Sequence, residues 1–353
     1  MIAIILAGGT GTRLWPYSRN MTPKQFLNLG SSQESLFQET SKRLDSLVPP
    51  EQIYIVGADA HKDQLRQQIL QIFPDYPMDQ LLLEPVGRNT APAILWSLLR
   101  IPERNRNVSV VVLASDHLIK NIHSFNHALK LGERLASSGH IVTFGIKPDR
   151  AETGYGYIKS GEPLEVGFKV EEFVEKPDLL TAEKYLESPD YNWNASIFMA
   201  TTETWLQEFR KHVPELLDVF EKEASAGDLS DHENIRTIYN SVSANSIDYA
   251  LLEKSDRVAV IPVDMEWTDL GSWESLHKVS DKDSEGNVLR GNVISQDTKN
   301  SLIFSDKKLV ASIGVENLII VETEDALLVC NMNRSQEVKK LVETLKIEER
   351  NEY

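Results

Sequence analysis

The sequence predicts an α/β protein: a mostly parallel sheet with helices on both faces, followed by a small strand-rich unit. Three observations carry this. Short apolar runs alternate with helix-period segments through about the first 145 residues, the pattern of a covered parallel sheet. A glycine cluster, Gly8-Gly9-Thr10-Gly11, directly follows the first run, and strand-to-loop junctions of that kind are common ligand sites. Beyond a polar, turn-rich stretch at 281–287, the apolar runs become short and closely spaced.

The elements follow in order. Residues 1–6 have the length and apolarity of a buried strand. A helical stretch at 34–47 leads to a strand at 53–56, and Leu65, Ile69, Ile72 and Phe73 then recur at helical spacing. A short strand at 81–83 precedes a helix that Thr90 can cap, with Pro92 in its first turn and Ile94, Leu95, Leu98 and Leu99 on one face. Residues 108–113 are a continuous β-branched run, which reads as a strand covered on both faces. A helix at 125–135 and a strand at 141–144 complete the alternation. The pattern then becomes mixed, with strands at 155–159, 168–174 and 197–200 and helical stretches at 205–220 and 248–253. The tail carries apolar runs at 302–304, 309–313, 318–321 and 327–330 and a helix at 336–347. The expected domains are therefore 1–280 and 287–353.

Composition narrows the function. Of 353 residues, 41% are apolar and 25% charged, as in ordinary globular proteins. The net charge of −16 speaks against a nucleic-acid partner, which wants a basic face. Apolar runs of strand length only, no signal-peptide pattern and a single cysteine, Cys330 in an apolar run, give the expectation of a cytoplasmic chain with no membrane partner.

The chemistry begins at the glycine loop. Missing side chains let a phosphate approach consecutive backbone N–H groups, and Arg13 adds a forked cation. A Walker loop would need Gly-Lys-Ser/Thr where Thr12-Arg13 follows Gly11, and the dinucleotide fingerprint fails at Leu14. Asp116 follows the buried run 108–113, at the sheet edge where a carboxylate can hold Mg²⁺ beside phosphate; Asp269 could supply the second carboxylate. A turn hydrogen bond and a helix cap are the plain alternatives. Lys24 and Lys176 stand beside prolines that stiffen the backbone, though most lysines are solvated. Residues 84–90 could read a purine edge or simply start a helix. Gly154-Tyr155-Gly156-Tyr157 and Trp193-Asn194 could meet a sugar ring or serve the core.

Taken together, the set resembles the mannose-1-phosphate guanylyltransferases. The matching segments are Gly8-Gly9-Thr10-Gly11-Thr12-Arg13-Leu14-Trp15-Pro16, Pro23-Lys24-Gln25-Phe26, Glu84-Pro85-Val86-Gly87-Arg88-Asn89-Thr90-Ala91-Pro92-Ala93, Ser115-Asp116-His117, Gly154-Tyr155-Gly156-Tyr157-Ile158, Glu175-Lys176-Pro177, Ser246-Ile247-Asp248-Tyr249-Ala250 and Trp267-Thr268-Asp269-Leu270-Gly271-Ser272-Trp273. The resemblance implies a Rossmann-like nucleotidyltransferase domain and a small C-terminal left-handed β-helix unit. It implies that GTP and mannose 1-phosphate give GDP-mannose and pyrophosphate, with Mg²⁺, in a homodimer. It places Leu6, Gly8, Gly9, Thr10, Gly11, Thr12, Arg13 and Lys24 along the nucleotide's phosphates, and Glu84, Arg88, Asn89 and Thr90 near guanine. It sets Gly154, Glu175 and Asn194 against mannose and Lys176 at its phosphate, with Arg13, Lys24 and Lys176 as the catalytic cations. Asp116 and Asp269 would bind the metal, Asp116 also facing the nucleotide. Two departures stand out: Ser196 where the family usually has glycine, and Ala114 where it often has proline. Two other readings stay open: the same chemistry on another sugar 1-phosphate or NTP, and a non-catalytic subunit that binds GDP-mannose.

Overall fold

The structure, a computed structural model, describes residues 1–9, 11–30, 32–350 and 352. Its strands are β1 (Ile2–Ala7), β2 (Ile53–Ala58), β3 (Leu81–Glu84), β4 (Ser109–Ala114), β5 (Leu118–Ile119), β6 (Ile141–Ile146), β7 (Tyr157–Pro163), β8 (Phe168–Val174), β9 (Tyr191–Thr201), β10 (Val258–Pro262), β11 (Trp267–Thr268), β12 (Val288–Arg290), β13 (Val293–Gln296), β14 (Leu302–Ser305), β15 (Val310–Ile313), β16 (Leu318–Glu322) and β17 (Leu327–Asn331). Its α-helices are α1 (Leu36–Arg43), α2 (Lys62–Ile72), α3 (Thr90–Arg100), α4 (Ile122–Ser137), α5 (Leu179–Glu187), α6 (Thr202–His212), α7 (Pro214–Ala226), α8 (His232–Ser241), α9 (Trp273–Val279) and α10 (Val338–Ile347). The chain divides into two compact units, one of Met1–Gly8, Ser41–Ser115 and Ile119–Trp267, the other of Gly9–Thr40, Asp116–Leu118 and Thr268–Tyr353.

The first unit is built on a nine-stranded sheet in the order β3-β2-β1-β4-β9-β6-β10-β8-β7. Strands β1 to β4 pair in parallel, as do β6 and β10. The mixed middle arises because β9 lies antiparallel between β4 and β6. Parallel β1 and β4 bring their C-terminal ends to one edge, where the Ser115 N–H donates to the Leu6 carbonyl at 2.9 Å. Strand β4 is buried through Leu113, as its continuous β-branched run demands. The core joins Ile4, Val56, Val110 and Val112 of the strands with Ile94, Leu95 and Leu98 of α3.

Two local expectations are corrected here. Asn89, not Thr90, caps α3, accepting from the Thr90 N–H at 2.9 Å. The stretch 205–220 is two helices, because Pro214 cannot donate a helical hydrogen bond and opens α7 instead. Strand β9 also starts earlier than its apolar run; Asn192 and Asn194 are buried within it. Its pairing with β6 is irregular between Thr143 and Gly145, and Ser196 there takes φ 51°. Glycine is the residue that reaches such angles without strain, so the family's usual glycine has a backbone explanation that Ser196 must override.

In the second unit, β12, β14 and β16 pair in parallel, β13 and β15 likewise, and β17 closes antiparallel on β16. This is a short β-helix. Gly291 (φ 87°) turns between β12 and β13, where a Cβ would lie 1.9 Å from the Ser305 carbonyl oxygen. The core joins Leu302, Phe304, Ile319 and Val321 of the β-helix with Trp273 and with Leu14, Trp15 and Leu27. Trp273 is fully buried, and its indole N–H donates to the Trp15 carbonyl at 2.9 Å. Cys330 is half-buried, and burial pushes its thiol up, as suits an inert side chain. Among the described residues no helix is long and apolar enough to cross a membrane.

Candidate active site

In the second unit the glycine loop, Lys24, Asp116 and Asp269 converge. Gly11 takes φ 56° and opens a 3₁₀ turn, Thr12–Leu14. A Cβ on Gly11 would sit 2.3 Å from the Cβ of Lys24, so only glycine allows the loop and the lysine to lie together. Lys24 is 5% exposed. Its Nζ lies 2.7 Å from Asp116 Oδ2 and also donates to the Asp269 carbonyl. Burial raises the Asp116 carboxyl, but Lys24 and then His117 pull it the other way and hold it below its ordinary value. Asp269 Oδ1 accepts from the Gly271 N–H at 3.0 Å.

These groups line one cavity of about 240 Å³, with Thr12, Arg13, Leu14, Leu270 and Lys339 completing its wall. Arg13 is exposed and Thr12 half-buried. The cavity combines loop backbone, three cations and two carboxylates. No group of three or more His, Cys, Asp or Glu side chains able to hold a metal occurs among the described residues. Two carboxylates at a phosphate-sized cavity do suit Mg²⁺, which takes few protein ligands and completes its shell with phosphate and water. Of the loop, Thr10 lies outside the described residues, while Gly8 and Gly9 are exposed.

The first unit holds two further clusters. Glu84, at the end of β3, is 8% exposed. Burial, partly offset by the neighbouring Tyr239 hydroxyl, raises its carboxyl to about 7. The Glu84 carboxyl and the Tyr239 hydroxyl are both buried and face one another. Glu84 Oε2 lies 3.4 Å from where a Cβ on Gly8 would be, so it stands against the loop's first glycine. Arg88 Nε donates to the Tyr239 carbonyl at 2.7 Å. Thr90 Oγ1 accepts from the Ile247 N–H at 2.8 Å, and Asn89 takes φ 66°.

The other cluster joins Asn194, Asp248, Glu175 and Lys176. Asn194 is 3% exposed. Its Nδ2 donates to Asp248 Oδ1 at 3.2 Å, and its Oδ1 accepts from Thr143 Oγ1 at 3.1 Å. Lys176 takes φ 52° and pairs with Glu175 Oε1 at 2.5 Å. Burial, then the nearby Glu175 carboxylate, raises Asp248 to about 7. Gly154 is anchored by its N–H donating to Glu152 Oε1 at 3.0 Å. Asp248 lies in the motif Ser246–Ala250, which by itself assigns it no role, and Tyr239 and Lys339 carry no sequence signal: an aromatic or a lysine on an amphipathic helix reads as core or as solvated face.

A model of the nucleotidyl transferase family matches residues 2–286, and one of the MannoseP isomerase/GMP-like beta-helix domain matches residues 291–345. The chain is 44% identical over 359 residues to a mannose-1-phosphate guanylyltransferase of Klebsiella pneumoniae, covering 100% of this chain and 75% of that one. The same identity and coverage, 44% over 100% and 75%, hold for one of Escherichia coli. A crystal structure from Thermus thermophilus, described as a mannose-1-phosphate geranyltransferase, matches with a TM-score of 0.86 at 32% identity, covering 98% of this chain and 99% of that one.

Proposed function

The chain belongs to the nucleotidyl transferase family and, within it, to the mannose-1-phosphate guanylyltransferases; from that premise we propose that it transfers GMP from GTP to α-D-mannose 1-phosphate in the cytoplasm, releasing pyrophosphate. The observation that carries this reading is the cavity where the glycine loop, Lys24, Asp116 and Asp269 meet. It offers backbone N–H groups and cations to a triphosphate, and carboxylates to Mg²⁺.

The nucleophile is a phosphate oxygen of mannose 1-phosphate, already an anion, so the reaction needs no general base. A direct in-line displacement at the α-phosphorus then leaves the protein two tasks: holding polyanions in place and offsetting their charge. Arg13 and Lys24 neutralise the triphosphate while the Gly11 turn holds it by backbone. Lys24, fixed by Asp116 and the Asp269 carbonyl, cannot swing away. Asp116, held ionised, is ready as a metal ligand. Mg²⁺, when bound by Asp116 and Asp269, supplies charge neutralisation at the phosphates. Glu84 and the Arg88–Thr90 segment meet the base. Asn194, Glu175 and Asp248 accept and donate to sugar hydroxyls, and Lys176 faces the sugar's phosphate.

A second reading rests on Ser196, which reshapes β9 two residues from Asn194 and donates its N–H to Asn194 Oδ1 at 3.0 Å. Through that contact another sugar 1-phosphate could be preferred. A pyrophosphate-release screen across NTPs and sugar 1-phosphates decides between them. The highest kcat/KM is expected for GTP with mannose 1-phosphate; a different best pair overturns the assignment.

A further inference from the structure

Lys339 joins the phosphate cavity from a part of the chain that carries none of the family's matched motifs. It stands in the first turn of α10, and its neighbours Val338 and Val342 are buried in the β-helix core. Beyond this helix, the Glu352 carbonyl accepts from Trp15 Nε1 at 2.6 Å, Trp15 closing the 3₁₀ turn Thr12–Leu14. The helix that bears Lys339 is held on the β-helix core by Val338 and Val342.

Without Lys339 the cavity wall carries two cations, Arg13 and Lys24, against two carboxylates, Asp116 and Asp269, and so has no net positive charge to offer a triphosphate. Lys24 is already engaged by Asp116 and by the Asp269 carbonyl. Arg13 is then the remaining cation of the described loop. Lys339 lines the same cavity, and its ion pair is a loose surface contact: Nζ lies 3.6 Å from Glu343 Oε1, with both side chains more than half exposed. Such pairs contribute little and are readily exchanged for a stronger partner. A lysine at that place is a compact donor suited to a phosphate oxygen.

We propose that Lys339 binds the terminal phosphates of the nucleotide, the pair that leaves as pyrophosphate, so that the C-terminal helix supplies part of the phosphate site. This deepens the reading of the cavity given above and rests on it. No covalent step is involved; the ammonium donates hydrogen bonds and offsets charge.

The test is calorimetric titration of pyrophosphate with Mg²⁺ into the full chain and into Lys339→Gln and Lys339→Arg variants. Loss of the cation should weaken pyrophosphate binding about tenfold, or about 1.4 kcal/mol, and Lys339→Arg should recover most of it. In turnover assays the KM for GTP should rise while that for mannose 1-phosphate stays unchanged, a split that a merely structural role would not give. Unchanged pyrophosphate affinity in Lys339→Gln overturns the assignment whatever the sugar. Pyrophosphate binding that depends on Lys339, without GDP-mannose formation, upholds Lys339 and overturns the sugar reading. No pyrophosphate binding by the unsubstituted chain overturns both.

Discussion

Lys24 shows how one side chain can serve both as a structural tie and as a charge. It is buried, yet its ammonium meets a carboxylate and a carbonyl, as a buried charge requires. Removing the Asp116 carboxylate would free Lys24 as well as remove the proposed metal ligand. We expect Asp116→Asn and Asp269→Asn to lower turnover by at least about a hundredfold with Mg²⁺, while circular dichroism stays unchanged; full activity of both would reject their role. Glu84 gives a second prediction. Its carboxyl sits at about 7 in the fold against 4.5 outside it, so folding favours the protonated form. That contribution is fully present below the unfolded value and is lost as pH rises through about 7. Its size is on the order of 3 kcal/mol. Urea unfolding of Glu84→Gln should thus lose less stability than the unsubstituted chain from about pH 4.5 to about pH 8; an identical profile would count against it. Motif spacing singled out Lys24, Asp116 and Asp269, and the structure brings the three to one cavity. Tyr239 and Lys339 were silent, since nothing local distinguishes them from core or surface residues.

At the scale of elements, periodicity located most strands and helices to within a few residues, while the two compact units divide after Trp267 and not at the turn-rich stretch 281–287. What escaped it was non-local. The position of β9 between β4 and β6 depends on pairing partners far apart in sequence, and its polar start at Tyr191–Asn194 leaves no continuous apolar run to mark it. That segments 9–40 and 116–118 group with the β-helix likewise has no local signature. The turns of that β-helix are more exacting than its strands. At Gly291 a Cβ would meet the Ser305 carbonyl at 1.9 Å with φ at 87°. Backbone cannot yield as a flexible side chain can, so Gly291→Ala should cost more than about 2 kcal/mol in chemical unfolding. A loss below about 0.5 kcal/mol would show that the turn relaxes.

For the molecule as a whole, a net charge of −16 coexists with a cavity whose wall carries three cations against two carboxylates. Bulk acidity serves solubility, and local placement governs binding. Family membership was legible because eight motifs run in order along the chain; the conformational demand at Ser196 was not, because φ is invisible in a residue name. The central claim is that the α-phosphoryl group of GTP passes directly to the sugar phosphate. It is tested most directly by supplying GTP radiolabelled at the α-phosphorus together with mannose 1-phosphate and Mg²⁺. The label is expected in GDP-mannose in step with released pyrophosphate, with none retained on the protein. Label that remains in GTP, or that accumulates covalently on the chain, would contradict it.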